Sequence, residues 1–420
     1  MLPSFVGWIG DECQWIPLLL SAAIGLLGLL ILGARGGSRV SSRTLRRVIA
    51  LIALYLMPAV QIGANSILGD TEWSIQLVTF PLRMFLVLFF ALVGFFLSDS
   101  YGRLKSINRG LEFSVLVMSL LAVEYYLSDG QTWLQDLYSH RQMGAGTRFG
   151  GPYIWPYNTA VFLVLVLLSN SLPAAAVPKK EARRMRAFAF LAFALLVAGQ
   201  SRSAWIAYAL LVASWFLVRI WKVDFNPQRL SRDYLTRWTL LFVLLSASVL
   251  VWHSDQIVSF VSYGVRQGFG FESLSANRLE QIAHGYRLLS ESVLSVLFGV
   301  GVRAPYVESG FNYVLMFGVG GFMLYFIGPL CILLLHPRPS RPPCTAIEVA
   351  FGYQIVALRL WGLFILFMMI STNILTHARF IPIYGILIGY LLRIRDGEGG
   401  NVVNSRSSHK SSRESERNEI

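Results

Sequence analysis

The sequence predicts an all-α polytopic integral membrane protein with about 11 transmembrane helices (11–12) and two long connections on one side. Three observations lead there. Of the 420 residues, 55% are apolar and only 14% charged, against about 25% charged in a soluble domain. Mean hydropathy is +0.56, and the apolar residues gather in runs suited to a hydrocarbon core of about 30 Å. Positive charge collects in alternate connections between those runs, as orientation in a membrane requires. A soluble globular enzyme, a disordered scaffold and a coiled coil are excluded. The net charge of +13 does not imply nucleic acid as a partner, because nucleic-acid binding requires a basic patch on a soluble surface. Cys13, Cys331 and Cys344 are too few and too scattered for a disulfide framework or a thiolate metal site.

Taken in order, the apolar runs predict spans at 16–32, 48–62, 82–97, 113–127, 159–177, 187–199, 204–221, 238–252, 311–335, 349–370 and 380–392. The first is not expected to be a cleavable signal peptide: Asp11 and Glu12 precede it, and Arg35 to Arg47 follow as a stop-transfer cluster. Basic residues fill the first connection (Arg35, Arg39, Arg43, Arg46, Arg47) and the third (Arg103, Lys105, Arg109). They also fill the fifth (Lys179, Lys180, Arg183, Arg184, Arg186), the seventh (Arg219, Lys222, Arg229, Arg232, Arg237) and the ninth (Arg338, Arg341). These connections are expected to face the cytoplasm, with the N-terminus outside and the C-terminus inside. Residues 1–395 are expected to form a single helical membrane domain. The tail 396–420, rich in Ser, Arg, Glu and Asn, is expected to be a solvated, disordered cytoplasmic end.

Two connections then lie outside, 128–158 and 253–310, and connections this long commonly carry function. Within the second, 288–302 is apolar but interrupted by Ser290, Glu291, Ser292 and Ser295, which predicts an interfacial or re-entrant helix. The runs 187–199 and 380–392 have 13 residues each, about 20 Å of helix. Their outer turns, Gln200-Ser201-Arg202-Ser203 and His377-Ala378-Arg379, are therefore expected below the membrane surface. Recessed polar backbone is tolerated only inside protein or beside a water-filled cavity. The expectation is an outward-open cavity lined by Arg202 and Arg379, joined by Arg83 after Pro81. The plainer reading is that these arginines snorkel to headgroups. Arg359, near the middle of the tenth span with Tyr353 and Gln354 close by, is an intramembrane charge and so a functional candidate.

The basic residues expected outside are all arginines: Arg83, Arg141, Arg148, Arg202, Arg266, Arg278, Arg287, Arg303 and Arg379. A guanidinium fork suits phosphate oxygens better than an ammonium does. The first outer connection ends in Arg148-Phe-Gly-Gly-Pro152 and Trp155-Pro156-Tyr157-Asn158, whose plain reading is a Gly/Pro loop. The second holds Asn277-Arg278-Leu279-Glu280, Arg287, Phe298-Gly299-Val300-Gly301, Arg303 and Val307-Glu308-Ser309-Gly310. The following span carries Gly318-Val-Gly-Gly321. Gly299-x-Gly301 is no nucleotide fingerprint, since no βαβ unit surrounds it.

As an ordered set over roughly 141–328, these residues resemble the bacterial O-antigen polymerase and O-antigen ligase superfamily. The likeness rests on Arg148…Gly151…Pro156-x-Asn158, on Ser201-Arg202-Ser203 opening a span, and on Arg278…Phe298-Gly-x-Gly301…Glu308-Ser309…Gly318-x-x-Gly321. The resemblance implies a GT-C-like, metal-independent membrane glycosyltransferase with a periplasmic site in the bacterial inner (cytoplasmic) membrane. Its implied substrate, as donor and acceptor, is an undecaprenyl-pyrophosphate-linked oligosaccharide. Membrane lipid and a chain-length regulator protein are the further implied partners, and no cofactor is implied. Arg202 and Arg278 match the arginines that hold donor pyrophosphate. Where ligases carry His eleven residues before the first Gly of Gly-x-x-Gly, this chain has Val307, followed by Glu308. That departure favours the polymerase branch.

The catalytic set expected on this basis is Glu308, Arg202 and Arg278, with Arg148, Arg287, Arg303, Arg379, Arg83 and Asn158 binding substrate. Glu308 is the expected base; its plain reading is an ion pair with Arg303. Asp70-Thr71-Glu72, in an outer connection, offers hard oxygens to Mg²⁺ or Mn²⁺, but no further carboxylate or His completes a shell, and no metal is expected. The alternatives are an O-antigen ligase that uses lipid A–core as acceptor and, in a different class, a lipid-linked oligosaccharide flippase.

Overall fold

A computed structural model describes residues 76–97, 101–127, 156–199, 201–222, 278–301, 309–334, 346–370, 372, 375 and 380–395, with scattered helical positions between 46 and 61. Among the described residues the chain is helical throughout, without strands. The helices are α1 (Gln76–Leu97), α2 (Tyr101–Leu127), α3 (Pro156–Ser171), α4 (Lys179–Ala198), α5 (Arg202–Lys222), α6 (Arg278–Ser290) and α7 (Val293–Phe298). They continue as α8 (Phe311–Phe322), a π-helical turn (Met323–Ile327), α9 (Gly328–Leu334), α10 (Ala346–Met368) and α11 (Ile381–Arg395).

Among the described residues, four stretches are long and apolar enough to cross a membrane: Leu104–Leu127, Tyr157–Ala175, Phe311–Cys331 and Val349–Met368. Shorter apolar helices occupy Leu82–Phe96, Ser203–Ser214 and Ile381–Arg393. The expected spans at 16–32 and 238–252 lie outside the described residues. Two helices outrun their apolar runs. α4 reaches back to Lys179, giving 20 residues where 187–199 has 13, and α2 takes in Lys105 and Arg109. Long basic side chains can solvate a helical turn without ending it, so hydropathy alone understates both helices. The length of α4 removes the shortness from which a recess at its end was expected. The expected single helix in 288–302 is two helices, α6 and α7, broken at Glu291-Ser292. Ser292 caps α7, its Oγ accepting from Ser295 N–H at 3.0 Å.

The chain forms two compact units. The described residues of the first fall within 111–321 and 341–374, with α3 at its centre: 94% of the window within Tyr157–Ala175 is buried. A 3₁₀ turn at Pro173–Ala175 folds α4 back along α3. Ser201 then turns the chain into α5. α10 lies antiparallel to α3, with Trp361 Nε1–H donating to Val161 O at 2.9 Å and the far end of α10 against the 3₁₀ turn. Two contacts fix α2 parallel to α4. Tyr126 Oη–H donates to Ala198 O at 2.7 Å, and Arg184 Nε lies 3.4 Å from Glu112 Oε2. The first of these satisfies a carbonyl in the last turn of α4, which has no partner along its own helix.

The second unit holds 11–110, 322–340 and 375–420. Its axis is the pair α1 and α11, which pack parallel through small residues. A Cβ added at Gly389 would overlap the Ala91 carbonyl oxygen, and one at Gly385 would press on Phe90 and Val87. Gly385-xxx-Gly389 is thus a close-approach seam of the kind membrane helices use in place of hydrophobic drive. Arg393 closes its end over the Phe95 ring, 5.4 Å from the centroid.

Candidate functional site at the polar end of the first unit

One end of the first unit gathers the starts of α3, α5 and α8 and the ends of α2, α4 and α10. The α3–α4–α5 run alternates direction through short turns. α10 delivers its last residues to the start of α8, where the Met369 carbonyl accepts from Gly310 N–H. Six buried polar side chains lie at this end, Asn158, Thr159, Ser201, Ser309, Asn312 and Thr372. The far end of α3 buries a second polar group, Ser169, Asn170 and Ser171, and between the two ends α3 is packed with Ala, Val, Leu and Phe.

Each polar group here has a helix-terminal job or a spare bonding capacity. Ser201 precedes α5, its Oγ 3.4 Å from Ala204 N and its carbonyl accepting from Trp205 N–H at 3.0 Å. Ser309 does the same for α8: Phe311 N–H donates to its Oγ at 3.2 Å and Asn312 N–H to its carbonyl at 3.0 Å. Asn312 Nδ2 sits 3.8 Å from Met316 Sδ. Asn158 is 1% exposed, and neither its amide nitrogen nor its amide oxygen has a hydrogen-bond partner. Thr372 Oγ1 is likewise buried and unpartnered. A buried polar group left unmade costs about 1–3 kcal/mol, so the Asn158 amide keeps unused bonding capacity, as do Ser169 Oγ, Asn170 Oδ1 and Ser171 Oγ at the other end of α3.

Of the residues expected at a site, Arg202 is the first residue of α5, directly after the Ser201 cap. Arg278 begins the described part of α6. Arg287 is exposed in the last turn of α6. Asn158 is in the first turn of α3. Arg83 is half-buried on α1, in the second unit. Glu308, Arg148, Arg303 and Arg379 lie outside the described residues, as do Asp70 and Glu72. Arg359 is half-buried on α10, with Gln354 buried on the same helix.

The glycine motif of the second connection and that of the span after it meet in space. Gly299, Gly301 and Gly318 have φ of +80°, +65° and +70°, values that L side chains rarely adopt. A Cβ on Gly299 would strike the Met316 carbonyl and Gly318 N, and one on Gly318 would strike the Leu297 carbonyl and Phe298 N. Val300 N–H donates to Leu315 O at 2.8 Å across this seam. Gly318 interrupts α8 with extended backbone, φ +70° and ψ 179°. The glycines therefore let one backbone lie on another.

Sequence reasoning missed Thr372, whose signal was the polar triplet Ser371-Thr372-Asn373 closing an apolar run. It also missed the Glu112–Arg184 pair and the Gly385-xxx-Gly389 seam. No protein-family model matches the chain, and no curated protein matches it.

Proposed function

We propose that this chain is a membrane glycosyltransferase that polymerises lipid-linked oligosaccharide repeat units at the periplasmic face of the bacterial inner membrane. The observation that carries the reading is the meeting of Phe298-Gly299-x-Gly301 with Gly318, two halves of the ordered motif set brought backbone to backbone. Arg202 adds support. It opens α5, where a guanidinium is joined to the positive end of a helix, a combination suited to an anion and adverse without one.

In the proposed reaction the C1–O bond from the growing glycan to undecaprenyl pyrophosphate breaks. The hydroxyl oxygen of a new lipid-linked unit bonds to C1, and undecaprenyl pyrophosphate leaves. Arg202 and Arg278 stabilise the negative charge that grows on the leaving pyrophosphate. Glu308 takes the hydroxyl proton. Asn158, with its amide in reserve, orients a sugar hydroxyl. No metal enters this scheme.

The test is the glycan profile of a deletion strain. Lipopolysaccharide carrying a single repeat supports the polymerase. Bare core with accumulated lipid-linked polymer assigns the chain to the ligase reaction instead, and unchanged ladders overturn both.

A further inference from the structure

We propose that α7 is embedded in the lipid layer, with acyl chains as the occupant of its exposed face, and that the water–lipid boundary crosses the elbow at Glu291-Ser292. On one side of the elbow α6 exposes four polar residues, Gln281, His284, Arg287 and Ser290, beside Ala283 and Tyr286. On the other, α7 exposes five of its six residues, and all five are apolar: Val293, Leu294, Val296, Leu297 and Phe298. Val293 is 75% exposed and Leu294 67%. Burying apolar surface gains about 25 cal/mol per Å², and contiguous exposed apolar patches mark contact surfaces. A change from polar to apolar exposure within three residues follows a change of solvent.

The seam with α8 sets the depth. α8 begins the stretch Phe311–Cys331, whose 21 residues match the hydrocarbon core with none to spare. α7 meets it at Gly318, seven residues in, which is about 10 Å at 1.5 Å per residue. Backbone at that depth must be paired within the protein. Gly299 N–H donates to Ser295 O at 2.8 Å, Val296 N–H to Ser292 O at 3.2 Å and Val300 N–H to Leu315 O at 2.8 Å. Tyr286, the large aromatic exposed on α6, sits just above the elbow, where an amphipathic ring is favoured. The proposal concerns the placement of α7 and stands whether or not the chain transfers glycans.

The experiment uses the full chain with Cys13, Cys331 and Cys344 changed to Ser, reconstituted in phosphatidylcholine–phosphatidylglycerol vesicles. Spin labels on Leu294→Cys, Phe298→Cys and His284→Cys are read by collision with oxygen and with a water-soluble nickel chelate. Labels at 294 and 298 are expected to meet oxygen several-fold more than nickel, and the label at 284 the reverse. Nickel-dominated collisions at 294 and 298 place α7 in water and overturn the proposal. Collisions with neither reagent overturn it too, because protein then covers the face. Gly318→Val, added to the label at 294 and checked for folding by gel filtration, is expected to shift it toward nickel. An unmoved label shows that the seam does not hold α7 at its depth.

Discussion

Among single residues, the arginines carry the sharpest expectation. At Arg202 or Arg278, Lys keeps the charge and loses the two-pronged donor. Losing one charge-assisted hydrogen bond costs about 1.5–3 kcal/mol, so either substitution is expected to slow polymer formation about ten- to hundredfold. Gel ladders compared at matched protein levels check this, and wild-type ladders from both variants remove the pyrophosphate role. Glu308→Gln separates a base from an ion pair. As a base, Glu308 supports turnover by about 10²–10⁴-fold, and Gln keeps its shape without accepting the proton. As a surface partner of Arg303 it is worth about 0–1 kcal/mol, and Arg303→Ala then does comparable harm. Single-turnover rates of the two variants, measured side by side, distinguish these outcomes. Arg202 stood out in the sequence as a charge opening an apolar run after the polar turn Gln200-Ser201, and it is the first residue of α5. Thr372 was missed, since the short polar triplet Ser371-Thr372-Asn373 that marks it reads as an ordinary end of an apolar run.

Among elements, the glycines divide by what surrounds them, and one substitution tests it with opposite signs. Gly389→Ala sets a Cβ into the Ala91 carbonyl, which belongs to backbone and cannot yield. Overpacking of this kind costs about 1–3 kcal/mol. Gly110 and Gly352 have nothing within 4 Å of the same added atom, and Ala in place of a helical Gly gains about 0.5–1 kcal/mol. Thermal unfolding in detergent is expected to show a lower midpoint for the first variant and an unchanged or higher one for the other two. Equal loss at all three sites contradicts the seam between α1 and α11. Period and hydropathy located α3, α8 and α10 closely, because a bilayer demands apolar length. They misjudged α2 and α4, where lysines and arginines extend a helix past its apolar part. The break between α6 and α7 depends on a serine cap, a signal too short to outweigh the apolar run around it.

At the scale of the whole molecule, the proposed chemistry sets its own control. Purified protein with lipid-linked substrate is expected to polymerise in excess chelator, and Asp70→Asn with Glu72→Gln is expected to stay active. Activity lost to chelator and restored by Mg²⁺ or Mn²⁺ assigns those two carboxylates to a metal site. Apolar runs of membrane length made the membrane class readable from sequence. The sequence set Asn158, Ser201 and Ser309 at the outer ends of expected spans, but their burial was not readable, because it depends on how the helices pack.

The enclosure of α3 also has a consequence for biosynthesis. This helix leaves the ribosome early, yet the indole that donates to its Val161 carbonyl is made 200 residues later. Until then the helix must wait in the bilayer with one flank open, carrying Asn158, Ser169, Asn170 and Ser171. Contacts so distant along the chain are slow to form, so the nascent protein passes through a stage that quality-control proteases can read. A chain stopped before Ala346 is expected to be degraded faster than the full chain in a pulse-chase, and co-expression of 346–395 as a separate piece to slow that decay. Equal lifetimes mean that α3 is content among lipids, and that α10 arrives as a guest rather than as the wall that completes the house.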